Sequence, residues 1–316
     1  MSASGGTRAI IAAFLANLAI ACAKLVGFFV TSSASLLAEA VHSFADTGNQ
    51  ALLLLGGRRA KREATPLHPF GYGRERYFWA FVVALVLFTG GSLFAVYEGI
   101  DKIRHPHELE SLGWAMGILG LAIVLEGYSL RTAIVESNAV RGTTSWSTFI
   151  RRSRSPELPV VLLEDLGAMV GLVIALSAIL TAEVTGDAVW DGIGTLSIGV
   201  LLGVIAIVLA IEMKSLLIGE GAVADQRDRI VAAIAAAPEV VQLIHLRTLH
   251  LGPEELLVTA KVEYTSGLDV PALARTIDRT EIAIRDATDL SAVVYIEPDI
   301  RRTHGVSAGG PGEAHQ

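Results

Sequence analysis

Six apolar runs of membrane-spanning length follow one another along the first two thirds of the chain, at about 10–30, 33–56, 78–100, 114–130, 160–180 and 193–211. A hydrocarbon layer of about 30 Å needs about 20 helical residues, and each run is close to that length. Past Glu220 the pattern changes. Residues 224–237 carry helical spacing with Asp225 near the start and Pro238 after the end, 240–249 and 256–264 alternate like strands joined at Leu251-Gly252-Pro253, a second helix is predicted over 270–285, and a short strand over 292–296. The reading is an α-helical membrane protein: six transmembrane helices over 1–220, a small open-faced α+β domain of order αββαβ over 221–300, and a disordered tail over 301–316 rich in glycine and small residues.

The second run departs from simple apolarity. It reads AEAVHSFADTGNQALLLLG, and His42 and Asp46 stand four apart, so a helix stacks an imidazole above a carboxylate on one face. Inside a spanning helix such a pair is costly unless used, which points to a divalent cation, with a structural polar cluster as the other reading. The fifth run opens VVLLEDLGAMVGL, where Glu164 and Asp165 are the only charged groups and flank the stripe begun by Val161. The two helices run antiparallel with their polar residues at comparable depth, so His42, Asp46, Asp165 and Glu164 can offer one nitrogen and three oxygens to a single metal ion. For Glu164 the alternative is a place near the headgroups, paired with Arg152 or Arg154. Glu126, in VLEGYSL of the fourth run, reads either as a relay or as the partner of a nearby hydroxyl or Arg131. Lys24 and Glu39 lie equidistant from the turn near 31–33, which predicts a buried ion pair between the first two helices unless the lysine snorkels outward.

Composition strengthens the membrane reading and removes other classes. Hydrophobic residues make up 52% of the chain and charged residues 18%, with a mean hydropathy of +0.53. The net charge of −7 gives no case for nucleic-acid binding. Cys22 is the only cysteine, which removes intrachain disulfides and thiolate clusters. The first apolar run is too long for a signal-peptide core and is expected to stay as a span. Basic residues crowd the second connection (Arg58, Arg59, Lys61, Arg62, Arg74, Arg76) and the fourth (Arg141, Arg151, Arg152, Arg154), while the fifth has none, so both termini are expected on the cytoplasmic side. His304 and His315 of the tail read as solvent-exposed, as do His105, His107 and His250.

Taken together, SASLLAEAVHSFADTGNQ, HPFGYGRERYFWAFVVALVLF, LLEDLGAMVGLVIAL, WDGIGTLSIGVLLG and VQLIHLRTLHLGPEELLVTAKVEY make the chain similar to the cation diffusion facilitators over about residues 8–298. These are six-span exporters of zinc and related divalent metals with a cytoplasmic metallochaperone-like domain. The resemblance implies metal efflux by alternating access with proton antiport, a homodimer embedded in a plasma or inner membrane, and no enzymatic activity or resident cofactor beyond the transported ion. No phosphate-binding glycine loop or nucleophile–base pair argues otherwise. A metal-gated channel and a non-transporting metal-responsive membrane protein are the alternatives. Members place an HxxxD or DxxxD pair on the second span and HxxxD on the fifth, which maps onto His42 and Asp46 and onto Val161 and Asp165.

Val161 cannot bind a metal, so either Glu164 substitutes from the neighbouring turn or water completes the shell. Both make the site harder and leave manganese, cobalt or iron beside zinc as cargo. Accessory sites look worn by the same resemblance: His68 stands at one expected ligand position but Tyr72 occupies a usual histidine position, and Val262 and Tyr295 replace ligands beside His245 and Glu297. Restoring nitrogen with Val161→His together with Glu164→Ala is expected to shift selectivity toward zinc over manganese. Competition between the two ions in vesicle uptake measures it, and unchanged selectivity would leave water as the fourth ligand.

Overall fold

The computed structural model describes residues 3–31, 34–106 and 112–301, and the chain divides into two compact units, Met1–Gly219 and Glu220–Gln316. His107, His304 and His315 lie outside the described residues, as does the tail from 302.

The first unit is a helical bundle of α1 (Ala3–Thr31), α2 (Ala34–Ala60), α3 (Glu75–Val86), a π-helical turn (Leu87–Leu93), α4 (Phe94–Arg104), α5 (Leu112–Arg141), α6 (Trp146–Arg152), α7 (Glu157–Thr185) and α8 (Val189–Ile218). Local chemistry sets several ends. Arg58 and Arg59 sit in the last turn of α2, where cations offset the carbonyl end of the helix dipole. Ser145 caps the short α6 by accepting from the Thr148 N–H, and α7 stops at Gly186, whose φ of 68° is open to glycine at little cost. The α6 turn falls inside what reads from sequence as a plain connection.

Four helices among the described residues are long and apolar enough to cross a membrane: Glu75–Arg104, Met116–Arg141, Glu157–Thr185 and Val189–Ile218. Six were expected. In α1 the apolar stretch within the described side chains is Asn17–Val30. The 27-residue α2 has the length but not the composition, because Ser43, Asp46, Thr47, Asn49 and Gln50 are polar and buried along it.

That polar helix is central, packing against α1, α3, α7 and α8. The apolar core around it joins Leu36 of α2 to Tyr77 and Val83 of α3, Leu119 of α5, Leu172 and Ile179 of α7 and Leu202 and Leu209 of α8. A second feature is the tight seam between α4 and α8. A Cβ added at Gly99 would stand 2.5 Å from the Leu196 backbone nitrogen, and one at Gly199 would stand 2.7 Å from that of Val96. Ser92, in the π-helical turn, donates from Oγ to the Gly199 carbonyl at 2.8 Å. Small residues thus bring two backbones together where no side chain fits between them.

The second unit holds α9 (Ala224–Ala235), β1 (Val240–Gly252), β2 (Glu255–Tyr264), α10 (Val270–Asp286) and β3 (Ser291–Pro298). The strands order β1-β2-β3, β1 antiparallel to β2 with Leu246 opposite Ala260, β2 parallel to β3 with Leu256 opposite Ala292. Alternate residues Leu256, Val258, Ala260 and Val262 form a core with Ile230 and Ile234 of α9, Ile284 of α10 and Val294, so one sheet face is covered by helices. Asp269 caps α10 by accepting from the Ala272 N–H at 2.8 Å. The element order matches the αββαβ expectation, but β1 runs past the expected turn to Gly252.

His250 corrects the surface reading. It is buried at 2% exposure, its backbone N–H donates to the Glu220 carbonyl at 2.8 Å, and its Nδ1 lies 3.3 Å from the Gly252 carbonyl. The register slips between His250 and Gly252, and a bulge breaks the alternation on which a surface assignment depends.

Gly99→Leu is expected to weaken the seam by about 1–3 kcal/mol, the usual penalty for overpacking. Thermal unfolding in detergent checks this. Gly120→Ala, whose added Cβ meets nothing within 4 Å, is expected to be neutral or slightly stabilising.

Candidate metal centre

The buried polar face of α2 is where charged groups from four helices gather. Helical spacing puts Ser43, Asp46, Thr47 and Gln50 on one stripe and carries Asn49 to its edge. From α7, Glu164 and Asp165 are buried at 4% and 5% exposure, beside Asp46 at 6%. Burial at that level in apolar helices means that each ionised carboxylate must be compensated locally, because removing it from water costs several kcal/mol.

Neutral donors supply part of that compensation. Asn49 Nδ2 donates to Glu164 Oε1 at 2.7 Å, linking α2 to α7, and Ser129 Oγ of α5 donates to Asp165 Oδ2 at 2.8 Å. From α1, the fully buried Lys24 donates from Nζ to Ser43 Oγ at 2.7 Å and stands 3.8 Å from Glu126 Oε1 of α5. The charges of Glu164, Glu126, Lys24 and Asp165 all act on Asp46. Two buried acceptors in this region, Asn49 Oδ1 and Gln50 Oε1, have no hydrogen-bond partner among the described residues. The inventory is oxygen-rich, and carboxylate and amide oxygens suit a divalent cation.

Of the sequence-derived ligands, Asp46, Glu164 and Asp165 therefore share one buried cluster. The backbone of His42 lies in α2, four residues before Asp46, but its side chain is outside the described residues. Among the described residues no three His, Cys, Asp or Glu side chains close around a common point.

Several partnerships differ from those read in the sequence. Glu164 is not at the headgroups with Arg152 or Arg154: it is buried and bonded to Asn49. Glu126 faces Lys24 rather than Arg131. Lys24 meets Ser43 and Glu126, while the side chain of Glu39, its expected partner, is outside the described residues. Rotation about each helix axis, which decides that Glu164 meets Asn49 and that Glu126 meets Lys24, was not legible in the sequence. Arg76 pairs with Glu157 of α7 at 3.3 Å. Asn49, Ser129 and Ser43 were missed as members. Their signal was spacing, since Asn49 follows Asp46, and Ser129 follows Glu126, by three residues.

The accessory positions carry their own contacts. His68 is exposed and its ring stacks against Tyr72 at a centroid distance of 4.6 Å. On β1, His245 sits opposite Lys261, whose Nζ reaches Glu297 at 3.0 Å and Asp299 at 3.3 Å. Hydrogen bonds to Glu297 and then Asp299 push the Lys261 ammonium above its ordinary value. Val262 is in the core of the second unit, and Tyr295 is exposed.

Residues 10–218 match the model of the cation efflux transmembrane domain. The chain is 35% identical over 244 residues to the mitochondrial proton-coupled zinc antiporter SLC30A9 of Xenopus laevis, covering 76% of this chain and 44% of that protein. The human protein of the same name is 32% identical over 243 residues, 76% of this chain and 43% of that one. Metal tolerance protein C4 of Arabidopsis thaliana is 28% identical over 278 residues, 87% of this chain and 61% of the relative. The chain thus spans less than half the length of these antiporters.

Asn49→Ala leaves the buried Glu164 carboxylate without its amide donor. A loss of about 1–3 kcal/mol of stability is expected, the penalty for an unsatisfied buried polar group. Thermal unfolding of the purified protein measures it, and Asn49→Asp, which sets a second negative charge against Glu164, is expected to be worse.

Proposed function

This chain belongs to the cation efflux family, and from that premise we propose that it exports a divalent metal ion, zinc before manganese, cobalt or iron, in exchange for protons. The ion is held between α2 and α7 by His42, Asp46, Asp165 and Glu164. The supporting observation is the burial of Asp46 on the polar face of α2 together with Glu164 and Asp165 of the apolar α7. Three carboxylates in that setting are a standing electrostatic deficit, and a divalent cation offsets two of the three negative charges.

Zinc stands first because the relatives above are named proton-coupled zinc antiporters. Proton exchange follows from ligand chemistry. A metal-bound imidazole is neutral and metal-bound carboxylates are ionised, so protons and metal compete for the same atoms. In the proposed cycle the ion enters from the cytoplasmic side, where both termini lie, binds at mid-depth and leaves on the opposite side as the helices rearrange about it. The working unit is a homodimer, the state that cross-linking in lipid tests.

Reconstituted protein tests the assignment directly. With zinc outside, an internal fluorescent indicator and an imposed pH gradient, Asp46→Asn or Asp165→Asn is expected to reduce zinc flux at least tenfold while thermal unfolding stays cooperative. Wild-type flux in either variant would refute the site. Flux indifferent to the gradient would refute the exchange.

A further inference from the structure

Lys24 is fully buried, and its ammonium lies one helical turn from the proposed ion site. It is anchored to Ser43 Oγ at 2.7 Å, and Ser43 precedes Asp46 by three residues on the same stripe of α2. A fixed positive charge there works against the cargo in two ways. It repels an approaching divalent cation across a medium of low dielectric constant, and it offers Asp46 a resident counter-ion that the metal must displace. Glu126 supplies the opposing pull from α5, with Oε1 3.8 Å from Lys24 Nζ at 4% exposure.

We infer that Glu126 is a positioning residue that draws the Lys24 ammonium toward α5 and off Asp46, and so sets the affinity of the transport site for its divalent ion. The inference rests on the assignment of Asp46 as a cargo ligand. Charge accounting supports it. With Lys24 and Glu126 cancelling one another, the lining formed by Asp46, Glu164 and Asp165 stays negative for the cation. With the Glu126 charge removed, Lys24 keeps its bond to Ser43 Oγ, three residues from Asp46 on the same stripe of α2, and its charge weighs more on that carboxylate, so the lining is partly neutralised before any metal arrives.

The test is zinc transport by the full-length protein in liposomes, read as KM and maximum rate separately. Glu126→Gln is expected to raise the KM for zinc about tenfold, equivalent to about 1.4 kcal/mol, with a maximum rate within about twofold of wild type. Adding Lys24→Met removes the released ammonium and is expected to return KM to within about threefold of wild type. Lys24→Met alone is expected to lower KM. An unchanged KM in Glu126→Gln, or a double variant no better than that single variant, would overturn the inference. If Glu126→Gln does not fold, Lys24→Met alone decides: a lowered KM supports the role, and an unchanged or raised KM rejects it. Asp46→Asn separates the two levels. Wild-type flux in that variant refutes the site assignment itself, whereas loss of flux there with no KM shift in Glu126→Gln removes only the positioning role.

Discussion

An ionised group held away from water must find its compensation within a few ångströms, and that constraint organises the membrane unit. Asp46, Glu126, Glu164, Asp165 and Lys24 are all nearly or fully buried, in helices otherwise chosen for apolarity. Each buried carboxylate on α5 and α7 takes a hydrogen bond or an ion pair from a different helix: Glu164 from α2, Asp165 from α5, Glu126 from α1. The helices are therefore held in register by polar contacts as much as by the fit of Leu and Ile side chains. The contacts are few, but their replacement by nothing is more costly than the loss of an equal area of apolar packing.

Against this polar centre stands the seam of α4 and α8, which uses the opposite chemistry. Gly99 and Gly199 let backbones approach within the reach of a missing Cβ, and Ser92 fastens the π-helical turn to α8 through a backbone carbonyl. Helix pairs packed on small residues gain dispersion contacts with little side-chain entropy to lose. The membrane unit thus joins one region rich in charge to another with almost no side-chain bulk.

How much of this could be read from the sequence depends on which dimension is asked. Distance along the chain was legible: the apolar runs, the αββαβ order and the unusual Glu164 and Asp165 all emerged from periodicity. Azimuth about a helix was not. Hairpin geometry gave Lys24 the partner Glu39, whose side chain is outside the described residues, and offered no route to its contacts with Ser43 and with Glu126 of α5, a residue that no local pattern connects to it. The same blindness hid Asn49 and Ser129, whose amide and hydroxyl look like ordinary helix residues until their neighbours are known. His250 failed for a different reason, since a bulge changes which way a strand residue faces and leaves no compositional mark. The polarity of α2, read as the sign of a site, is also what makes that helix fall short of a span by composition alone.

The partners in this network are far apart in sequence, and this bears on how the protein is made. Asn49 and Glu164 are separated by 115 residues, so at about 5–20 residues per second the ribosome needs about 6–23 s between synthesising one and the other. Throughout that interval α2 must be held with Asp46, Asn49 and Gln50 lacking α7, in a helix that hydrocarbon accepts poorly. Biogenesis therefore has a vulnerable window set by translation speed, during which the nascent α2 depends on the insertion machinery, or on α1 and Lys24, to stay in place until the later helices arrive.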